Sequence, residues 1–150
     1  MKLPDKEKIL AACKELLMQR IATAEQAMKA AQEASNSEDK SSAGDKYETA
    51  RAMGQLDRDM NARQLAQAQK ELAELVKISL LPFTTVKTGA LVHCDTATYF
   101  IATGLGPVTI EGQQVVVLSP LSPLARLMAG KSAGDSFLFN QKLTTIRNVA

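Results

Sequence analysis

The stretch "SEDKSSAGDKYETARAM", residues 37 to 53, holds four carboxylates within eleven residues: Glu38, Asp39, Asp45 and Glu48. Acids that open a helix complement its dipole and need no catalytic role, with Ser41 or Ser42 as cap and Asp45 and Glu48 in the first turn. Whether this cluster does more depends on what flanks the stretch.

On its N-terminal side, from Asp5 to about Gln32, Leu10, Cys13, Leu17, Ile21, Ala24, Met28 and Ala31 recur at alternating steps of three and four. That period gives one narrow apolar stripe on a helix opened by Pro4. Beyond the acidic stretch a second stripe runs through Met53, Leu56 and Met60, slips phase near Arg63 and Gln64, and resumes at Leu65, Ala68, Leu72 and Leu75. Its helix is expected to end at Pro82, because proline disfavours helical geometry in the residue before it. Two such helices with a short connection bury both stripes only as an antiparallel hairpin about 45 Å long, with the acidic stretch at its tip. The many alanines in the seam bury little area, so the hairpin is expected to be marginal in stability.

After "SLLPF" the composition turns to Thr, Val, Gly and alternating apolar residues. The runs "TTVKTGALVHCD", "TATYFIAT", "PVTI", "QQVVVLS", "SFLFN" and "LTTIRNV" read as short strands. "EGQQ" and "SAGD" supply turns, and "SPLARLMAG" reads as a short helix capped by Ser122, opened by Pro123 and closed by Gly130. The expected fold is α+β: residues 1–79 form the coiled-coil hairpin, with residues 36–46 as tip, and residues 80–150 form a small sheet domain carrying one helix.

Composition narrows the function. The 150 residues are 45% apolar and 23% charged, which bounds the chain to one ordinary globular domain or two small ones. A net charge of +2, with basic and acidic residues interleaved, argues against direct nucleic-acid binding. Cys13 and Cys94 stand alone, which points to reduced thiols in the cytoplasm rather than a disulfide framework or a zinc site. No secretion signal and no apolar run of membrane-spanning length is visible, so no membrane partner is expected. His93 and Cys94 read as ordinary strand residues.

The segment "SPLARLMAGKSAGD", residues 122 to 135, resembles the C-terminal signature of bacterial Gre-type transcript-cleavage factors, Ser-Pro-(Leu/Met)-(Gly/Ala)-Arg-Ala-Leu-Leu-x-Lys-x-Val-Gly-Asp, and "VVVLSPL" resembles the strand before it. The order of the two halves is also similar, since these factors place an antiparallel coiled coil before an FKBP-like α+β domain. The resemblance implies an accessory factor for transcription elongation, not an enzyme and without a cofactor of its own. It implies that the globular domain docks on RNA polymerase, with Ser122 and Pro123 at family contact positions. It further implies that the coiled coil enters the secondary channel and brings tip acids to a Mg²⁺ shared with the polymerase, where two metals activate a water against the RNA.

The family tip resembles Asp-(Leu/Arg)-Ser-Glu-Asn-Ala-(Glu/Asp)-Tyr. Laid on residues 39 to 45 it matches Asp39 to the first acid and Asp45 to the second acidic position, and puts Ser42 where the family has Glu. Asp39 and Asp45 are thus the expected assisting acids, and Asp39 with Glu38 the expected metal-holding pair. A neutral hydroxyl at Ser42 keeps open a factor that occupies the channel without stimulating cleavage. Two further classes stay open: an FKBP-like prolyl isomerase, for which few aromatics are present to line a pocket, and a coiled-coil adaptor. The adaptor expects self-association through the stripe; the channel-binding factor expects a monomer when free.

Overall fold

The computed structural model describes residues 3–38 and 45–150, excepting the side chains of residues 35–38, 45–47 and Ala50. Two long helices, α1 (Lys6–Glu38) and α2 (Asp45–Val76), precede six strands: β1 (Leu91–Cys94), β2 (Thr98–Ile101), β3 (Gly106–Ile110), β4 (Gln113–Leu118), β5 (Ser136–Phe139) and β6 (Lys142–Val149). A third helix, α3 (Pro123–Met128), lies between β4 and β5. The architecture is α+β, as the change of period predicts. Two compact units emerge, Met1–Glu15 with Ala73–Ala150, and Leu16–Leu72.

In the first unit the strands form one mixed sheet in the order β3-β4-β2-β1-β6-β5. Neighbours are antiparallel except β2 and β4, which are parallel because β3 loops outside β4 before the chain returns. Strand alternation sends Val92 and Cys94 to one face, where they meet Leu124, Ala125 and Met128 of α3 with Phe137 and Ile146. Leu91, Phe100 and Val117, aligned by register, are buried on the other face. Ile9, Leu10 and Cys13 of α1 and Leu75 of α2 are buried apolar side chains of the same unit, and Lys6 of α1 is buried with them. Lys8 Nζ donates to Glu111 Oε1 at 2.5 Å, tying the start of α1 to the β3–β4 turn.

Helix ends depart from the sequence expectation in a physically readable way. α2 stops at Val76, six residues before Pro82. The last carbonyls of α2 are taken by tightened bonds, Lys77 N–H to Glu74 O (3.2 Å) and Ile78 N–H to Leu75 O (3.1 Å), and Ser79 Oγ then accepts from Leu81 N–H at 3.2 Å. This local hydroxyl turn competes with the helix before the proline can act. α1 runs on to Glu38, since nothing before that residue breaks it.

The second unit holds the hairpin. The α1 stripe is where periodicity puts it: in this unit Leu17 and Ala24 are buried, and Ile21, Met28 and Ala31 half-buried. On α2 the expectation fails in its first half. Met53, Leu56 and Met60 are 61%, 64% and 57% exposed. The inward positions are instead Gly54, Arg58, Asn61, Leu65 and Ala68, which keep a single alternation of four and three with no slip. Arg58 reaches across to Gln32 Oε1 and along its own helix to Gln55 Oε1. The seam at this level is therefore polar, with Arg58 partnered across the hairpin, and the apolar side chains lie outside it.

Candidate functional site

Of the tip acids, Asp39 lies outside the described residues, as do Ser41 and Ser42. Glu38 is the last residue of α1 and Asp45 the first of α2, so both stand on helical backbone. Glu48 sits one turn further along α2 and is exposed. Among the described residues no group of three or more His, Cys, Asp or Glu is arranged to hold a metal.

The second candidate region is the segment from Ser119 to Asp135, and here every side chain can be placed. Ser119 Oγ accepts from Leu121 N–H at 3.1 Å and Ser119 O from Ser122 N–H at 3.0 Å, which folds the chain back before the helix. Ser122, extended at φ −65° and ψ 152°, caps α3 by accepting from Ala125 N–H at 3.2 Å. Pro123 follows at the first helical position, where its missing N–H has no partner to lose. Leu124, Ala125 and Met128 face the core and fix the helix to the sheet. Gly130, at φ +79°, lets the chain leave the helix, donating to Val86 O at 2.8 Å. Asp135 then closes the next turn by accepting from Ser132 N–H at 2.8 Å and Ser132 Oγ at 3.3 Å.

The signature is therefore a rigid frame: capped helix, glycine exit and aspartate-braced turn, held to β6 by Ile146 N–H to Asp135 O and Gly134 N–H to Ile146 O, each 2.8 Å. What it presents to solvent is Leu121, 72% exposed between Pro120 and Pro123, with Arg126 and Leu127 on the outer side of α3. Sequence reading missed these three. A leucine between two prolines cannot join a helix or a ladder, and that was the available signal.

The remaining reactive groups are quiet. Burial pushes the Cys13 thiol up to about 11, and burial with the neighbouring Asp95 carboxylate does the same for Cys94, so neither is a nucleophile near neutrality. His93 Nδ1 lies 3.0 Å from Thr98 Oγ1, its cross-strand partner. Phe100 is fully buried, and Phe83, Tyr99, Phe137 and Phe139 pack in or against the core under α3.

No family model and no curated protein matches the sequence. Among solved structures the chain is similar to the transcription factor Gfh1, at 15% identity and a TM-score of 0.40 over 92% of this chain and 93% of that one. It is also similar to GreA factor homolog 1 (Gfh1) of Thermus thermophilus, at 12% identity and a TM-score of 0.34 over 93% of this chain and 95% of that one.

Proposed function

We propose that this protein is a Gre-like accessory factor that binds RNA polymerase through its secondary channel and has no active site of its own. The observation that carries the reading is the segment 122–135. It resembles the Gre-type signature in sequence, and its framework residues hold one exposed loop and helix face in place downstream of two long antiparallel helices. Ser122 and Pro123 set the shape of that face and Leu121, Arg126 and Leu127 supply its surface. Glu38 ends α1, Asp39 follows it in sequence and Asp45 opens α2, and hard carboxylate oxygens suit a Mg²⁺ held jointly with the polymerase.

Capture of core RNA polymerase by the immobilised full-length chain is the expected result, and failure to capture it removes the proposal. Pro123→Ala should weaken capture more than it lowers the melting temperature; equal losses would confine Pro123 to capping.

Ser42, where the family carries Glu, favours a second reading in which the factor occupies the channel without stimulating cleavage. On backtracked complexes this version expects no stimulation from the natural chain and a gain from Ser42→Glu. Full stimulation abolished by Asp39→Ala would decide for a cleavage factor.

A further inference from the structure

We infer that the groove between α1 and α2 is a binding site for a free, short acidic peptide, about three residues long. The observation that points to a ligand is Glu71. It is 9% exposed and stands in the wall of a cavity of about 760 Å³ within the hairpin unit. Gln67 Nε2 donates to its Oε1 at 2.8 Å, and its Oε2 has no partner. A buried carboxylate oxygen left unpaired marks a missing donor. The last torsion of a glutamate is broad, so either oxygen can turn to meet one.

Two arginines share the cavity, Arg20 on α1 and Arg63 on α2. Both are exposed, and among the described residues neither makes an ion pair with Glu71 or with any other acid. The contact of Arg58 with Gln32 gives the register of the two helices. Equal steps from that pair bring Arg20 level with Lys70, beside Glu71. Arg63 lies about 12 Å from Glu71 along α2. One end of the groove therefore offers a carboxylate and a guanidinium together, and the other end a second guanidinium.

The complement of that pattern is one ammonium and two carboxylates. Guanidinium groups pair with carboxylates through two parallel hydrogen bonds, which makes both arginines acid-binding points. An extended chain advances about 3.3 Å per residue, so about three residues span the 12 Å. The amino end then meets Glu71, an acidic first side chain meets Arg20, and the carboxyl end meets Arg63. Between the charged ends Gln19, Gln64 and Gln67 supply amide groups for the peptide bonds, over an apolar floor of Leu16, Ala24 and Ala68. The cavity falls within the about 300–1,000 Å³ typical of small-ligand sites.

This site goes beyond the channel-binding reading and does not rest on it. A peptide that touches both helices binds only the paired hairpin, so its concentration sets how firmly the two helices stay paired.

The test follows the backbone amide shifts of the full chain as the tripeptide glutamyl-alanyl-alanine is added to about 20 mM. Saturable shifts, largest in residues 16–24 and 63–71, are expected. Acetylating the amino end, amidating the carboxyl end, or replacing the first residue by alanine should each weaken binding about tenfold. Each loss should vanish in the matching variant: acetylation in Glu71→Gln, amidation in Arg63→Gln, and the alanine peptide in Arg20→Gln. Circular dichroism checks the fold; if Glu71→Gln loses helix, the two variants at the exposed arginines decide. The absence of saturable shifts, equal binding of the three altered peptides and the parent, or losses of the same size in the variants and the natural chain overturns the site. None of these outcomes bears on polymerase capture.

Discussion

The sheet unit and the hairpin unit are built on different terms. In the sheet unit both faces are closed: a row through Leu91, Phe100 and Val117 on one side, and a cluster through Val92, Met128 and Ile146 on the other. Within residues 16–72 the buried apolar side chains among those described are Leu17, Ala24 and Ala68. Glu71 shares their seam with Oε2 unpaired, and Arg58 Nε is likewise buried without a partner. Apolar area is what stabilises a fold, and unpaired buried polar atoms subtract from it, so the hairpin is the less stable of the two. Elements that open or move are drawn from the low-stability end of a structure, and here that end is the hairpin.

Breaking the sheet core gives the largest effect. Phe100→Ala removes a ring buried on a fully covered face and should cost about 3–5 kcal/mol, seen as a loss of the cooperative urea transition. Leu17→Ala should cost about 2–3 kcal/mol in hairpin stability. Hydrogen exchange is the discriminating measurement: amides of residues 16–72 should lose protection while those of β1, β2 and β4 keep theirs. Equal loss in both units would mean that they unfold as one.

The opposite substitution sharpens the contrast. Asn61→Leu replaces a half-buried polar seam residue by an apolar one and should raise hairpin protection by about 1 kcal/mol, leaving the sheet amides unmoved. A loss instead would show that Asn61 makes a necessary polar contact.

The smallest effect concerns pH. Lys6 donates to Leu81 O at 2.9 Å and lies 4.7 Å from the Phe83 ring centre, with Lys87 over the same ring at 4.2 Å. Burial lowers the Lys6 value from its ordinary 10.5. Between the lowered value and 10.5 the unfolded chain keeps a proton that the folded chain has shed, so stability gains as pH rises through that window. Thermal melts should show the natural chain gaining on Lys6→Met as the pH rises toward 10.5. A relative loss there would mean that the ring and carbonyl contacts outweigh burial.

Much of the fold was legible because its signals are local. Four of the six strands fall within the runs read as strands and β3 and β6 begin one residue before theirs, and α3 carries its cap, opening proline and closing glycine in the chain itself. The α1 stripe was legible because every member is apolar. On α2 the same reasoning chose Met53, Leu56 and Met60 over Gly54, Arg58 and Asn61, since hydropathy cannot see that Arg58 would find Gln32 across the hairpin. The site was legible to the same extent: Ser122 and Pro123 announced themselves as helix-start residues, whereas the exposure of Leu121, Arg126 and Leu127 follows from which face α3 turns to the core.

Sequence alone determined the α+β class, two long helices followed by short strands and one capped helix, because period, caps and turn residues act over a few neighbours. Tertiary structure decided the order of the strands and the parallel β2–β4 pairing, the true seam of α2, and the release of Met53, Leu56 and Met60 into solvent. Those depend on partners far away in the chain, and the free energy of burying or pairing a side chain is not defined until its partner is in place.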